Sequence, residues 1–449
     1  LTARLYTPAD IASRVALRVM FGAIMLWEVY RYFDHDWIRR YYIEPDFFFK
    51  YYGFGWVRPW PGIGMYLHFL ALGLLAIFIT VGLWYRISIV LFFVGFTYVF
   101  LLDQANYLNH FYFVSLMSFL MIFVPAHRAA SIDAWRRPAL RAEVVAVWSL
   151  WLLRAQVAIL YFYAGVAKIN TDFLRGEPMR MWLADRSNMS FFGDHLPVGR
   201  LFTQEWVVYL FSYGGLLFDL LVAPALLWKR TRMIAFAFAL AFHLMNVKLF
   251  SIGIFPWFSI AATLLFFSPD WPRRIFNWPR STALLPPLQR GESRGGSRPR
   301  VVITFMAVYL AVQALVPLRH FLYPGNVSWT EEGHRFSWHM KLRDKEAGRV
   351  EFEARDPSTG QTWPIKPRDY LSKRQAEKMP QRPDMVLQFA HYMAAKLREK
   401  HGCDIEIRAN IKASLNDRNA QLLIGPHVNL AAQERNLLPA AWILPLAEE

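Results

Sequence analysis

The chain has 449 residues, 55% hydrophobic and 17% aromatic, and a formal net charge of +16. So much apolar content, with only 19% charged residues, excludes an ordinary soluble domain. Cys403 is the one cysteine, which excludes an intrachain disulfide, a cysteine-based zinc site and an iron–sulfur centre.

Apolar runs near the roughly 20 residues that a bilayer requires recur along the first two thirds of the chain. In order they are Ala12–Tyr30, Gly64–Gly82, Ile87–Leu102, Phe111–Val124, Val144–Lys168, Val207–Leu227, Met233–Phe250, Ile252–Phe267 and Val301–Val316. The fourth is short, and the seventh and eighth nearly abut, which leaves them open to tilted, re-entrant or protein-buried placement. With a cytoplasmic N-terminus, nine crossings put Arg86, Arg128–Arg141, Lys229–Arg232 and Arg273–Arg300 on the cytoplasmic side. That agrees with the excess of Lys and Arg found in cytoplasmic loops and removes most of the case for nucleic-acid binding. Arg39, Arg40, Lys50 and Arg58 fall on the other side, in an aromatic-rich loop expected to lie along the interface. The Pro-, Gly- and Arg-rich stretch Arg280–Arg300 reads as a mobile cytoplasmic loop.

Past the last span the composition becomes mixed. RVEFEAR (349–355) and DIEIRA (404–409) alternate like strands, and Pro383–Lys400 reads as a helix. The expected fold is therefore a polytopic all-α transmembrane bundle of about nine helices over 1–317. A C-terminal extracytoplasmic α+β domain follows over 318–449.

Ionisable groups in or beside the spans are the candidates for chemistry. Lys168 ends a helix that also carries Arg154, Gln156, Tyr161 and Tyr163. A terminal lysine ordinarily snorkels to the headgroups, whereas one in an apolar pocket loses hydration and becomes a usable base. Asn109 and His110 lie in the polar run between the third and fourth spans, read either as a solvated loop or as a site entrance. His243 and Asn246 share a helical face and would either link helices or line a cavity. The nine-crossing topology brings all three groups to one leaflet. In the C-terminal domain, Arg335, Trp338 and Arg343 are candidates for recognising an acidic peptide, against the plainer reading of an aromatic core with a basic edge. The histidines show no metal-ligand spacing, so no metal is expected.

Several segments together resemble the vitamin K-dependent γ-carboxylase family, including its bacterial homologues. They are Asn109–His110, AGVAKIN around Lys168, FHLMNVKLFSIGIFPW with FFSPDWP (242–272), GHRFSWHM (333–340), PDMVLQFA (383–390) and IKASLNDR (411–418). The resemblance implies oxidation of vitamin K hydroquinone, or a menaquinone-like naphthohydroquinone, by molecular oxygen to an epoxide. Coupled to it is γ-carboxylation of glutamate in a peptide or protein by carbon dioxide. It further implies that Lys168 deprotonates the hydroquinone and that His110 serves carboxylation. Asn109, His243, Asn246 and Tyr163 would line the cofactor cavity, and Arg335, Trp338 and Arg343 would meet the peptide. The cofactor would enter from membrane lipid, and a bacterial inner membrane with the site on the periplasmic or extracellular side is the expected location. The chain departs from animal members in being shorter and in carrying Ala167 before Lys168. Epoxidation without efficient carboxylation, and a nonenzymatic membrane ligand sensor, are the alternative readings. Neither the oligomeric state nor the natural substrate is readable from the residues.

Overall fold

A computed structural model describes residues 2–189, 198–250, 252–279 and 299–447. Each of the nine expected segments contains a helix: α1 (Ala12–Asp34), α2 (Gly64–Val81), α3 (Tyr85–Leu102), α4 (Asn109–Phe123), α5 (Trp148–Ala167), α6 (Glu205–Leu227), α7 (Arg232–Phe250), α8 (Phe255–Thr263) and α9 (Pro299–Leu315), although Val144–Ala146, expected to open the fifth, is a strand paired with Pro8–Asp10. Helices α2, α3, α5, α6, α7 and the α9 segment, continued as 3₁₀ turns to Leu322, are long and apolar enough to cross a membrane. These six make the chain an integral membrane protein. The outward stripe of α2 shows why: Leu67, Leu70, Leu74 and Ile77 are exposed while Leu72, Ala76 and Ile79 are buried, so the helix is apolar all round. Gly82, at φ +67°, ends it in the left-handed conformation that a residue without Cβ adopts freely.

Helix α1 differs because it carries Arg14, Arg18 and Glu28, all buried. Arg14 donates to Asp10 O at 2.7 Å and Ser149 Oγ at 3.0 Å, and Arg18 donates to Ala126 O at 2.7 Å. In α5, Arg154 donates to Leu265 O at 2.8 Å and Phe267 O at 3.0 Å, and Gln156 accepts from Tyr309 OH at 2.6 Å. These buried polar groups cross-link helices and connecting segments, while Arg18 Nε and Gln156 Nε2 keep no partner among the described residues.

After α9 comes a four-stranded antiparallel sheet of β1 (Lys345–Arg355), β2 (Thr362–Ile365), β3 (Glu406–Leu415) and β4 (Gln421–Leu422), in the order β2-β1-β3-β4. A bulge between Ala347 and Val350 shifts the β1–β3 register. Helix α10 (Lys373–Lys378) starts on a Ser372–Gln375 capping box, and α11 (Pro383–His401) follows. Met385, Val386, Phe389, Ala390 and Met393 form one face of α11 and join Ile407, Ala409 and Ile411 of β3 in a second core.

This domain sits on the loops that follow α1, α3 and α5. Arg435 donates to Lys50 O at 2.7 Å, Gln375 to Asp103 Oδ2 at 2.8 Å and Arg418 to Asp172 Oδ1 at 2.6 Å. Alternate connections thus meet one domain, the arrangement that an alternating path through a bilayer produces. Burial raises the Asp103 carboxyl to about 6 despite the hydrogen bonds that stabilise its charged form. The stretch Arg280–Arg300, expected to be a mobile loop, lies outside the described residues up to 298; Pro299 and Arg300 open α9.

Candidate functional site

Lys168 caps the end of α5 and is 6% exposed. Its Nζ donates to Asp219 Oδ2 on α6 at 2.5 Å and to Ala164 O at 3.2 Å, and lies 5.8 Å from the Phe173 ring centroid. It does not snorkel. The two helices come close enough for this pair because α5 carries Gly165, where a Cβ would stand 2.7 Å from the Leu220 side chain and 3.0 Å from its backbone nitrogen. Asp219 is not among the residues that the sequence singles out; its signal is a lone acid within the apolar run 207–227. It changes the electrostatics expected of Lys168. The 2.5 Å contact lets one proton pass between the amine and the carboxyl.

Beside this pair, His243 is fully buried in α7 and shares a 2.8 Å hydrogen bond with Tyr161 OH through Nε2. Phe218, Phe242 and Phe255 surround the ring, with centroids 5.5 to 6.0 Å away. Its Nδ1 has no hydrogen-bond partner among the described residues. Phe255 also faces His110, at 6.1 Å, so one aromatic ring bridges the two imidazoles. Asn246 is half-buried one turn beyond His243. Tyr163 OH donates to Ala314 O at 2.5 Å, tying α5 to α9.

His110, in the first turn of α4, lines a cavity of about 430 Å³ where the helices meet the C-terminal domain. Glu28, Arg31, Asn109, His339, Lys341 and Arg374 line it too. Among the described residues the His110 ring has no hydrogen bond. Asn109 accepts from Tyr107 OH and donates to His339 O, both at 2.9 Å, which clasps the loop 333–341 over the cavity. The His339 imidazole is 6% exposed with neither nitrogen partnered among the described residues. Burial, then His320, Arg343 and Lys168, hold its pKa down at about 3 and keep it neutral.

Arg335, Trp338 and Arg343 stand apart from that wall. Trp338 is 0% exposed and packs on Tyr112, 4.9 Å between ring centroids. Arg343 donates to Ser328 O at 3.0 Å and pairs with buried Glu331. The Arg335 carbonyl accepts from Arg319 at 2.5 Å. Of the loop 333–341, His339, Met340 and Lys341 reach the cavity instead. The loop turns there through positive φ at Trp338 (+59°) and Lys341 (+51°), so the alternation of inward and outward side chains cannot be read from spacing. Among the described residues no cluster of His, Cys, Asp and Glu has the geometry to hold a metal.

Residues 6–271 match the HTTM domain, and residues 298–449 match the lumenal domain of vitamin K-dependent gamma-carboxylase. No solved structure matches the chain. Two adjoining matches cover nearly all of it, in the order expected of a membrane bundle followed by an α+β domain. The chain belongs to the vitamin K-dependent gamma-carboxylase family.

Proposed function

We propose that this protein oxidises a vitamin K-type naphthohydroquinone with molecular oxygen and couples that oxidation to γ-carboxylation of glutamate in a peptide or protein. The observation that carries this reading is the pairing of two unlike sites through one aromatic wall. One is the buried Lys168–Asp219 pair beside His243; the other is the open cavity at His110.

The residues present suit such a cofactor: an amine, an imidazole with an unpartnered Nδ1, and phenylalanine rings around it. Lys168 and His243 would hold its polar oxygens, with Asn246 one turn away. The hydrogen bonds of Tyr163 and Asn109 are committed to Ala314 and His339, so Tyr163 ties α5 to α9 and Asn109 shapes the cavity wall. Oxidation of the bound hydroquinone by oxygen supplies the base strength needed to remove a glutamate γ-hydrogen, after which carbon dioxide adds at that carbon. Lys168 Nζ is the atom that receives a hydroxyl proton, once Asp219 Oδ2 has taken the one the pair shares at rest. His110 meets the glutamyl side chain in the cavity, beneath the loop held by Asn109. The C-terminal domain lies on the extracytoplasmic side, where a peptide approaches without crossing the bilayer, while the cofactor arrives through lipid.

The test is purified protein with reduced vitamin K, oxygen, labelled carbonate and a glutamyl peptide. Epoxide together with labelled peptide is the expected result. Epoxide alone would leave an epoxidase without carboxylation, and ligand binding with no turnover would leave a sensor.

A further inference from the structure

The cavity at His110 carries more positive charge than its own acids balance. Arg31 comes from α1, Lys341 from the loop after Trp338, and Arg374 from α10; the one carboxylate among the described lining residues is Glu28. Glu28 is already engaged, accepting from Arg31 Nη1 at 2.6 Å. That bond orients the guanidinium and leaves its Nε and Nη2 without an acceptor among the described residues. Trp37 at 5.0 Å, Trp27 at 5.7 Å and Gly253, where a Cβ would stand 3.1 Å from Nη1, confine it further. The Lys341 ammonium rests 4.5 Å from the Phe250 ring centroid and 5.0 Å from that of Trp182, with no ion pair among the described residues. Arg374 is partly spent on Asn106 Oδ1, at 2.8 Å.

A cation on a solvated surface needs no partner, but two cations fixed by aromatic rings around a chamber are prepared for an anion. We propose that Arg31 and Lys341 together hold the side-chain carboxylate of the glutamyl substrate in the cavity lined by His110. The assignment rests on the carboxylation reading and adds to it the residues that choose the substrate. Arg31 offers a planar fork to one carboxylate, and Lys341 a point charge from the opposite, extracytoplasmic element. Two cations also suit a product that bears a second carboxylate on the same carbon. Glu28 is a positioning residue acting through Arg31.

The experiment measures binding of two peptides, identical except for Glu or Gln at one position, to the full-length protein in lipid nanodiscs. Wild type is expected to prefer the Glu peptide by about tenfold or more, the scale of one charge-assisted hydrogen bond. Arg31→Gln and Lys341→Gln should each remove most of that preference, and Arg31→Lys should retain part of it; thermal unfolding reports whether each variant folds. Wild type binding both peptides equally, or both Gln variants keeping full preference while folded, overturns the assignment and leaves the carboxylation reading in place. Wild type binding neither peptide overturns both. Should Arg31→Gln fail to fold, Lys341→Gln decides: an unchanged preference rejects the two-cation site.

Discussion

Lys168 and His110 lie in opposite surroundings. Lys168 is packed between two helices with its amine against Asp219, whereas His110 faces an open chamber with its ring unbonded among the described residues. On the proposed reading, the first site moves a proton over a fixed short path, and the second receives the peptide and releases it. Burial would keep water from a strong base formed near the first; a polar peptide needs an open approach.

The largest expected effect is at the closed site. Lys168→Ala should lower hydroquinone oxidation by about 10²–10⁴-fold, the usual scale for losing a positioned base, with the folded protein retained. Asp219→Asn should cost nearly as much, because the amide cannot take up the shared proton. Epoxide formation at the wild-type rate in either variant would remove the pair from the mechanism. A subtler disturbance is Gly165→Val, which pushes α5 from α6 at Leu220. Overpacking of this kind costs about 1–3 kcal/mol. The variant should melt earlier and oxidise more slowly, and unchanged oxidation would show that the helix spacing does not matter.

The open site is sensitive to acid. His334 and His339 are held far below the ordinary histidine range, chiefly by burial, and His320 packs beside His339. Their ring centroids lie 4.7 and 5.1 Å apart across the loop that covers the cavity. Unfolded histidines take protons near pH 6.5, the folded ones only at lower pH, reached for His339 at about 3. The stability they contribute is complete above pH 6.5 and falls as pH drops through that window, by about 1.4 kcal/mol per pH unit for each proton taken up. His339→Gln should flatten the decline in melting temperature between pH 6.5 and 4; an unchanged slope would mean that the loop does not govern acid unfolding.

The two sites were not equally visible in the sequence. Span positions follow from apolar length alone, and strands β1 and β3 and helix α11 from period-2 and period-3.6 patterns, since these depend on local burial; the short strands β2 and β4 carry no such pattern. Lys168, His110 and His243 stood out as ionisable groups in or beside apolar runs. Asp219 and Glu28 met the same criterion and were overlooked, Glu28 because α1 mixes buried charge with apolar residues. What no spacing encodes is pairing across 51 residues, as in Lys168–Asp219, or the turn that buries Trp338 and brings Lys341 to the cavity wall. Those depend on helix approach at Gly165 and on positive φ in a loop, both settled by tertiary packing.

The division of labour between the two sites is tested most directly by His110→Ala, with epoxide and labelled peptide measured in one reaction. Label should fall about 100-fold while most epoxide formation persists. Equal loss of both products would contradict it.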